Sequence, residues 1–255
     1  MSSQPAFSYD AIADAYAAGV DLAPYNALYE RPAMLELLPP MSGTRLLDAG
    51  CGAGWYAAEL AKRGAVVTAI DASGKLISHA RKRFASPPWI EVADKVELKV
   101  ADLGQPLTFA GDASFDGIVS SLVLHYLLEW EPTLIEFRRI LKPSGWLLFS
   151  THHPAADQFR LDAPTYLNVE LVEDYWKWVG ELTYFRRPLS AMINALVNAG
   201  FGIESLVEPL PTDEFRKLKP ESYERLLRRP EFLIIRAHPG PLGKSSEREP
   251  QQRDV

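Results

Sequence analysis

Three carboxylates, Asp48, Asp71 and Asp102, stand where chemistry could use them. Asp48 interrupts the apolar run Leu46-Leu47-Asp48-Ala49 just before Gly50, Gly52 and Gly54. Glycines between a strand and a helix let a ligand approach the backbone closely, at the switch point of an open sheet. A carboxylate buried there is costly unless something compensates it. Asp71 closes a second apolar run, about 20 residues on, where an acid can accept both hydroxyls of a ribose. Asp102, in Ala101-Asp102-Leu103, follows a third run and is placed to accept from an adenine amino group. A nucleoside with a cationic tail suits all of them. S-adenosylmethionine (SAM), with its ammonium and sulfonium, is such a ligand, whereas Asp48 would repel a pyrophosphate. Gly52-Ala53-Gly54-Trp55-Tyr56-Ala57 nevertheless fits the relaxed dinucleotide fingerprint, and Asp71 would serve NAD equally well, so a nicotinamide enzyme stays in view.

Other residues carry a functional and an ordinary reading together. His125, after the fourth strand, could be a general base, since imidazole titrates near neutrality, or could pack over a cofactor with no proton in transit. His152 and His153 follow the fifth strand, at the rim where ligands sit in such sheets. Adjacent side chains of an extended chain point apart, so joint ligation with Asp157 is awkward and no metal is expected. His153 reads better as a substrate contact. Tyr166, Tyr175, Trp176 and Trp178 could lid a planar substrate or belong to the core. Cys51 reads as a small loop residue rather than a redox thiol, and Asp116 as structural. Ser86-Pro87-Pro88-Trp89 precedes the third strand and reads as a loop. Arg225, Arg228 and Arg229 read as a solvated helix face.

Alternating elements position these residues. Strands are expected at Arg45 to Ala49, Ala65 to Ile70, Val96 to Val100, Phe115 to Ser120 and Trp146 to Thr151. Helices at Trp55 to Arg63, Gly74 to Phe84 and about Thr133 to Leu141 intervene, with a turn at Pro143-Ser144-Gly145. Such alternation builds a parallel sheet with helices on both faces. Helical pieces from Phe7 to Leu38, rich in tyrosine, are expected to break near Pro24 and Pro32. After an aromatic, irregular stretch, a helix from Pro188 to Asn198 leads to strands at Phe201 to Pro211 and Glu231 to Ala237, joined by helical sequence.

In its motifs the chain resembles class I SAM-dependent methyltransferases of the UbiE/BioC-like, type 11 kind. The resemblance rests on Leu46 to Gly54, Ala69 to Ser73, Ala101 to Leu103, Phe115 to Ser120 and Phe137 to Gly145, in that order and spacing, with Ala199-Gly200-Phe201 resembling the closing hairpin. It implies an α/β, doubly wound, Rossmann-like, seven-stranded sheet of order 3-2-1-4-5-7-6, with the seventh strand antiparallel. It implies that Asp48, Gly50, Cys51 and Gly52 face the methionine part of SAM, that Asp71, Ala72 and Ser73 hold the ribose, and that Ala101, Asp102 and Leu103 hold the adenine. Ser120 would sit near the sulfonium and His125 near the methyl group. The N-terminal helices often cover this site in such enzymes, which makes Tyr16 and Arg31 candidates for the methionine end. His125 and His153 are the catalytic candidates; Tyr25, His153, Trp176 and Trp178 are the substrate candidates. The implied organisation is a helical lid over 1–40, a methyltransferase domain over 41–237 with a substrate-capping insertion at 153–187, and a disordered tail over 238–255.

Composition bounds the rest. The 255 residues are 47% hydrophobic and 24% charged, with a net charge of −6. That suits one large α/β domain and argues against a broad nucleic-acid or anionic-membrane footprint. The single cysteine allows no intrachain disulfide, and no targeting segment or membrane-length apolar run is evident, so a cytoplasmic protein is expected. The expected activity is methyl transfer from SAM, leaving S-adenosylhomocysteine (SAH), to a small-molecule O, N or C nucleophile. RNA or protein methylation, nicotinamide oxidoreduction and SAM binding without chemistry are the alternatives.

Overall fold

The computed structural model describes residues 9–160, 165–176 and 179–240. Period-two burial explains the central sheet. In β1 (Arg45–Ala49), Leu47 and Ala49 enter one apolar cluster and Leu46 enters another on the opposite face. The same alternation separates Leu147 and Phe149 from Leu148 in β5 (Leu141–His152), and Leu233 and Ile235 from Ile234 in β9 (Phe232–Pro239). Both faces are therefore covered. Leu60, Ala61 and Ile77 of α3 (Trp55–Lys62) and α4 (Gly74–Phe84) close one; Leu134, Phe137, Met192 and Leu196 of α5 (Glu131–Ile140) and α7 (Leu189–Asn198) close the other. Each fully buried leucine or phenylalanine contributes roughly 1.5–3 kcal/mol of transfer free energy.

The sheet order is β3-β2-β1-β4-β5-β9-β8. Strands β1, β2 (Val66–Asp71), β3 (Val96–Val100), β4 (Phe115–Ser121) and β5 are joined by parallel ladders, and β9 runs antiparallel to β5 and to β8 (Phe201–Val207). This is the expected Rossmann-like order. A hairpin of β6 (Glu170–Trp176) and β7 (Gly180–Arg186), following α6 (Pro154–Arg160), forms a separate two-stranded sheet within the stretch read as irregular. Two short helices, α8 (Asp213–Leu218) and α9 (Pro220–Leu226), join β8 to β9.

Several boundaries differ from expectation. Pro32 does not break its helix. A π-helical turn, Asn26–Glu30, leads into α2 (Arg31–Glu36), and the Arg31 N–H donates to the Asn26 carbonyl, so the missing N–H of Pro32 falls at the start of the α-helical part. The turn at Pro143 to Gly145 lies inside β5, where the register to β4 shifts between Phe115 and Gly117. The eighth strand stops at Val207 rather than Pro211. The last strand continues through His238 and Pro239, which pair with Gly202 and Phe201, so those two positions of the expected tail belong to the sheet; residues 241–255 lie outside the described residues. Among the described residues no helix is long and apolar enough to cross a membrane.

Candidate active site

The carboxyl ends of the parallel strands open onto a cleft of about 310 Å³. Gly50, Gly52, Asp71, Ala72, Ser73, Ala101, Asp102 and Leu103 form its floor and one wall. Ser121, Leu122, Val123, Tyr126 and Leu127 form the other, and Tyr9 and Tyr16 cross its mouth. A second recess of about 40 Å³ shares Tyr16, Gly50, Gly52, Ser121 and Leu122 with it and ends at Arg31, Asp48, Trp55 and Tyr56. The two form one elongated site that is nucleoside-sized at one end and narrow and charged at the other.

Backbone geometry makes the floor. Gly50 has a φ of +81°, and a Cβ there would lie 2.3 Å from Val123 Cγ2. Only glycine permits both the left-handed turn and that closeness. Opposite it, Leu122 has a φ of +55°, a conformation L residues avoid, while its N–H donates to both the carbonyl and the Oγ of Ser150. Backbone strain of this kind, about 1–2 kcal/mol, tends to gather at functional sites.

The acids are held in distinct ways. Asp71 accepts the Gly52 N–H at 2.9 Å and the Ser73 N–H at 2.8 Å, so backbone donors aim it, and burial raises its pKa to about 6. Asp102 accepts the Gly104 N–H at 2.8 Å. Asp48 is 1% exposed; the Ala57 N–H reaches it, but Oδ2 has no partner. Burial pushes its pKa up to about 8. An orphaned, buried carboxylate oxygen beside a charged recess is the compensation problem that a cationic ligand group would solve.

The N-terminal helices complete the site from the far side. The buried Arg31 guanidinium donates to the Asp21 carbonyl at 3.0 Å and lies 4.1 Å over the Trp55 ring. Glu30, fully buried, accepts Tyr56 Oη at 2.9 Å, Ser121 Oγ at 2.8 Å and Ser150 Oγ at 2.6 Å. Burial raises its pKa while those donors oppose the shift. Asp10 accepts Ser73 Oγ at 2.5 Å, and the Tyr9 and Tyr126 hydroxyls meet at 2.6 Å. Ser73 also caps α4 by accepting the Leu76 N–H.

Several expected residues stand elsewhere. Ser120 points into the sheet and donates to the Ala49 carbonyl at 2.9 Å, so Ser121 is the serine in the cleft. Cys51 lines the narrow recess, but its thiol is buried and raised in pKa, a poor redox group. His125 does not line the cleft; it stacks on His152 behind Tyr126, with ring centroids 4.1 Å apart. His153 Nε2 lies 2.8 Å from Glu208 Oε1, and its Nδ1 accepts the Ala155 N–H, so both ring nitrogens are engaged at the start of α6, away from the cleft lining. Tyr25 accepts from Arg225 at 2.7 Å and packs edge-on against Phe215, outside the cleft, which also gives Arg225 a partner. Trp176 donates to Asp174 at 3.0 Å from the hairpin, its ring 6.4 Å from His152. Trp178 lies outside the described residues. Among the described residues there is no cluster of three or more metal-ligating side chains. Glu30, Tyr9, Tyr126 and Leu122 escaped sequence reasoning, since no local motif marks them.

Residues 47–149 match the family model described as a methyltransferase domain. They are a SAM-dependent methyltransferase domain. The chain is 38% identical over 118 residues to the malonyl-[acyl-carrier protein] O-methyltransferase of Erwinia pyrifoliae, covering 46% of this chain and 41% of that protein. A longer match, 27% identical over 230 residues, covers 83% of this chain and 87% of an uncharacterized protein of Haemophilus influenzae. The structure of an S-adenosylmethionine dependent methyltransferase from Mesorhizobium loti superposes with a TM-score of 0.65 at 26% identity, covering 86% of this chain and 100% of its own. SAM is thus the methyl donor.

Proposed function

We propose that this methyltransferase moves the methyl group of SAM to a small-molecule O, N or C nucleophile by in-line displacement. The observation that carries the reading is the orphaned Oδ2 of Asp48 at the narrow end of an otherwise nucleoside-shaped cleft. In this reading Asp48 and Arg31 hold the ammonium and carboxylate of the methionine end, Asp71 the ribose, and Asp102 with Leu103 the adenine. SAM supplies a methyl carbon already activated by the sulfonium. The chain's own residues align, enclose and exclude water, which can be worth effective molarities on the order of 10⁵–10⁸ M. No dedicated base is required unless the nucleophile must lose a proton.

A small acceptor suits a cleft bridged by Tyr9 and Tyr126, and a net charge of −6 gives little attraction for nucleic acid. The malonyl-[acyl-carrier protein] O-methyltransferase and the ubiquinone biosynthesis O-methyltransferase among its relatives are consistent with an oxygen acceptor. We place the protein in the cytoplasm, on the absence of membrane-length helices among the described residues and a single, buried cysteine. The test is calorimetric titration of SAH into wild type and Asp71→Ala. Micromolar binding, weakened tenfold or more by the substitution, is expected; no binding to wild type overturns the assignment of the cleft.

A further inference from the structure

Two consecutive arginines leave the hairpin, and they differ in a way packing does not require. Arg186, 3% exposed, is balanced: it pairs with Glu170 and donates to the Thr165 carbonyl. Arg187, 5% exposed, has no such balance. It donates to the Leu127 carbonyl and lies 4.5 Å over the Trp130 ring, while its Nε has no hydrogen-bond partner. Among the described residues no carboxylate forms an ion pair with it. A guanidinium is not readily deprotonated, so this is a buried, uncompensated cation. Burial alone pulls its pKa down to about 9.

Among the described residues its surroundings supply no balancing negative charge, only a neutral imidazole. His125, 2% exposed, feels Arg187 and His152 and is pushed well below the ordinary imidazole range by burial first and by those two groups after it. Its Nδ1 lies 3.4 Å from Thr151 Oγ1, leaving Nε2 without a partner. The acid close by, Asp157, is turned to other work: it accepts Tyr184 Oη at 2.9 Å and lies 3.9 Å from His152. All this stands directly behind the cleft wall, since Leu127 and Tyr126 line the cleft and the Tyr126 and His125 rings are 4.4 Å apart.

We propose that Arg187 and His125 form an anion subsite for the methyl acceptor, and that the acceptor is therefore a carboxylate-bearing small molecule. The carboxylate neutralises Arg187 through the open Nε edge of the guanidinium and accepts from His125 Nε2 when Nδ1 accepts the Thr151 hydroxyl. Access does not require breaking the main sheet. The β6–β7 hairpin forms its own two-stranded sheet and contacts the 3₁₀ turn Leu124–Tyr126 by side chains, so it can shift without loss of a central ladder. His125 is here a binding group rather than a base. The inference rests on the methyltransferase reading of the cleft and adds the acceptor's charge to it.

The test titrates benzoate and hexanoate, with benzamide and hexanamide as uncharged counterparts, into the SAH complex of the full chain. Saturable binding of at least one acid, at least tenfold tighter than its amide, is expected. Arg187→Gln should weaken that binding tenfold or more and Arg187→Lys should restore part of it, with SAH affinity kept within twofold in both. Failure of every acid to bind, or equal binding of acid and amide, or an unchanged acid affinity in Arg187→Gln, overturns the proposal while leaving the SAH result standing. Thermal unfolding of the unliganded Arg187→Met chain supplies a second readout. A midpoint at or above wild type is expected for a cation kept for binding; a marked fall assigns Arg187 to structure and overturns the proposal.

Discussion

Binding of the cofactor should expel a proton from Asp48. Burial raises this carboxyl from 3.8 to about 8, so at pH 7 about nine-tenths of the unliganded protein carries it protonated. An ammonium placed against Oδ2 favours the charged form, so the pKa falls on binding and the proton leaves. Affinity for SAH must then rise with pH, by nearly tenfold (about 1.4 kcal/mol) per unit as long as the free carboxyl remains protonated, and flatten above about pH 8. Asp71, raised to about 6, completes its own ionisation lower, so the slope between pH 7 and 8 belongs to Asp48. Calorimetry at pH 7 in two buffers of different ionisation enthalpy reads the protons directly. Nearly one proton per SAH is expected from wild type and almost none from Asp48→Asn. The unliganded chain should respond in the opposite sense. Because the folded pKa is raised, the folded state loses stability as pH climbs from about 4 towards 8, a loss on the order of a few kcal/mol that Asp48→Asn escapes. Asp48→Asn should therefore melt higher near pH 7.5 yet bind SAH more weakly. A wild type that releases no proton, or an Asp48→Asn chain that releases as many, refutes the role given to Asp48.

Two further outcomes test the rest of the cleft. Gly50→Ala forces a Cβ to within 2.3 Å of Val123 Cγ2 at a φ of +81°, so SAH affinity should fall at least tenfold; adding Val123→Ala should recover part of the loss but not the backbone strain of about 1–2 kcal/mol. Tyr9→Phe removes the 2.6 Å contact that ties the N-terminal segment to Tyr126, at a cost of about 1–3 kcal/mol for the hydroxyl left behind, and limited proteolysis should cut near residues 9–20 sooner, with SAH slowing it less than in wild type.

Much of the proposed cofactor end of the cleft was legible because it is written locally. Gly50, Gly52, Asp71 and Asp102 occupy strand ends that hydrophobic runs announce, and the parallel alternation brings successive strand ends to one rim. The acceptor end was not. The tyrosine-rich start suggested Tyr25 as a contact, yet the helical path turns Tyr25 toward Phe215 and Arg225, and Tyr9 joins the expected Tyr16 in lining the cleft. His125 was placed near the methyl group by resemblance, but it faces His152 behind the wall because the chain turns through left-handed Leu122 into the turn Leu124–Tyr126.

The amino-acid sequence by itself determined the layer architecture and strand order, because alternating apolar runs, glycine punctuation and the handedness of strand crossings leave few ways to bury both sheet faces. It also marked Asp48 as the place where a compensating cation is expected, since a carboxylate inside a strand is tolerable only beside a compensating group. Tertiary structure alone decided which of Ser120 and Ser121 meets the cleft, how Glu30 joins three elements, and that Arg186 has a carboxylate while Arg187 has none among the described residues. Those outcomes depend on the phase of a strand and on partners far away in the chain, and burial makes the presence or absence of each such partner matter.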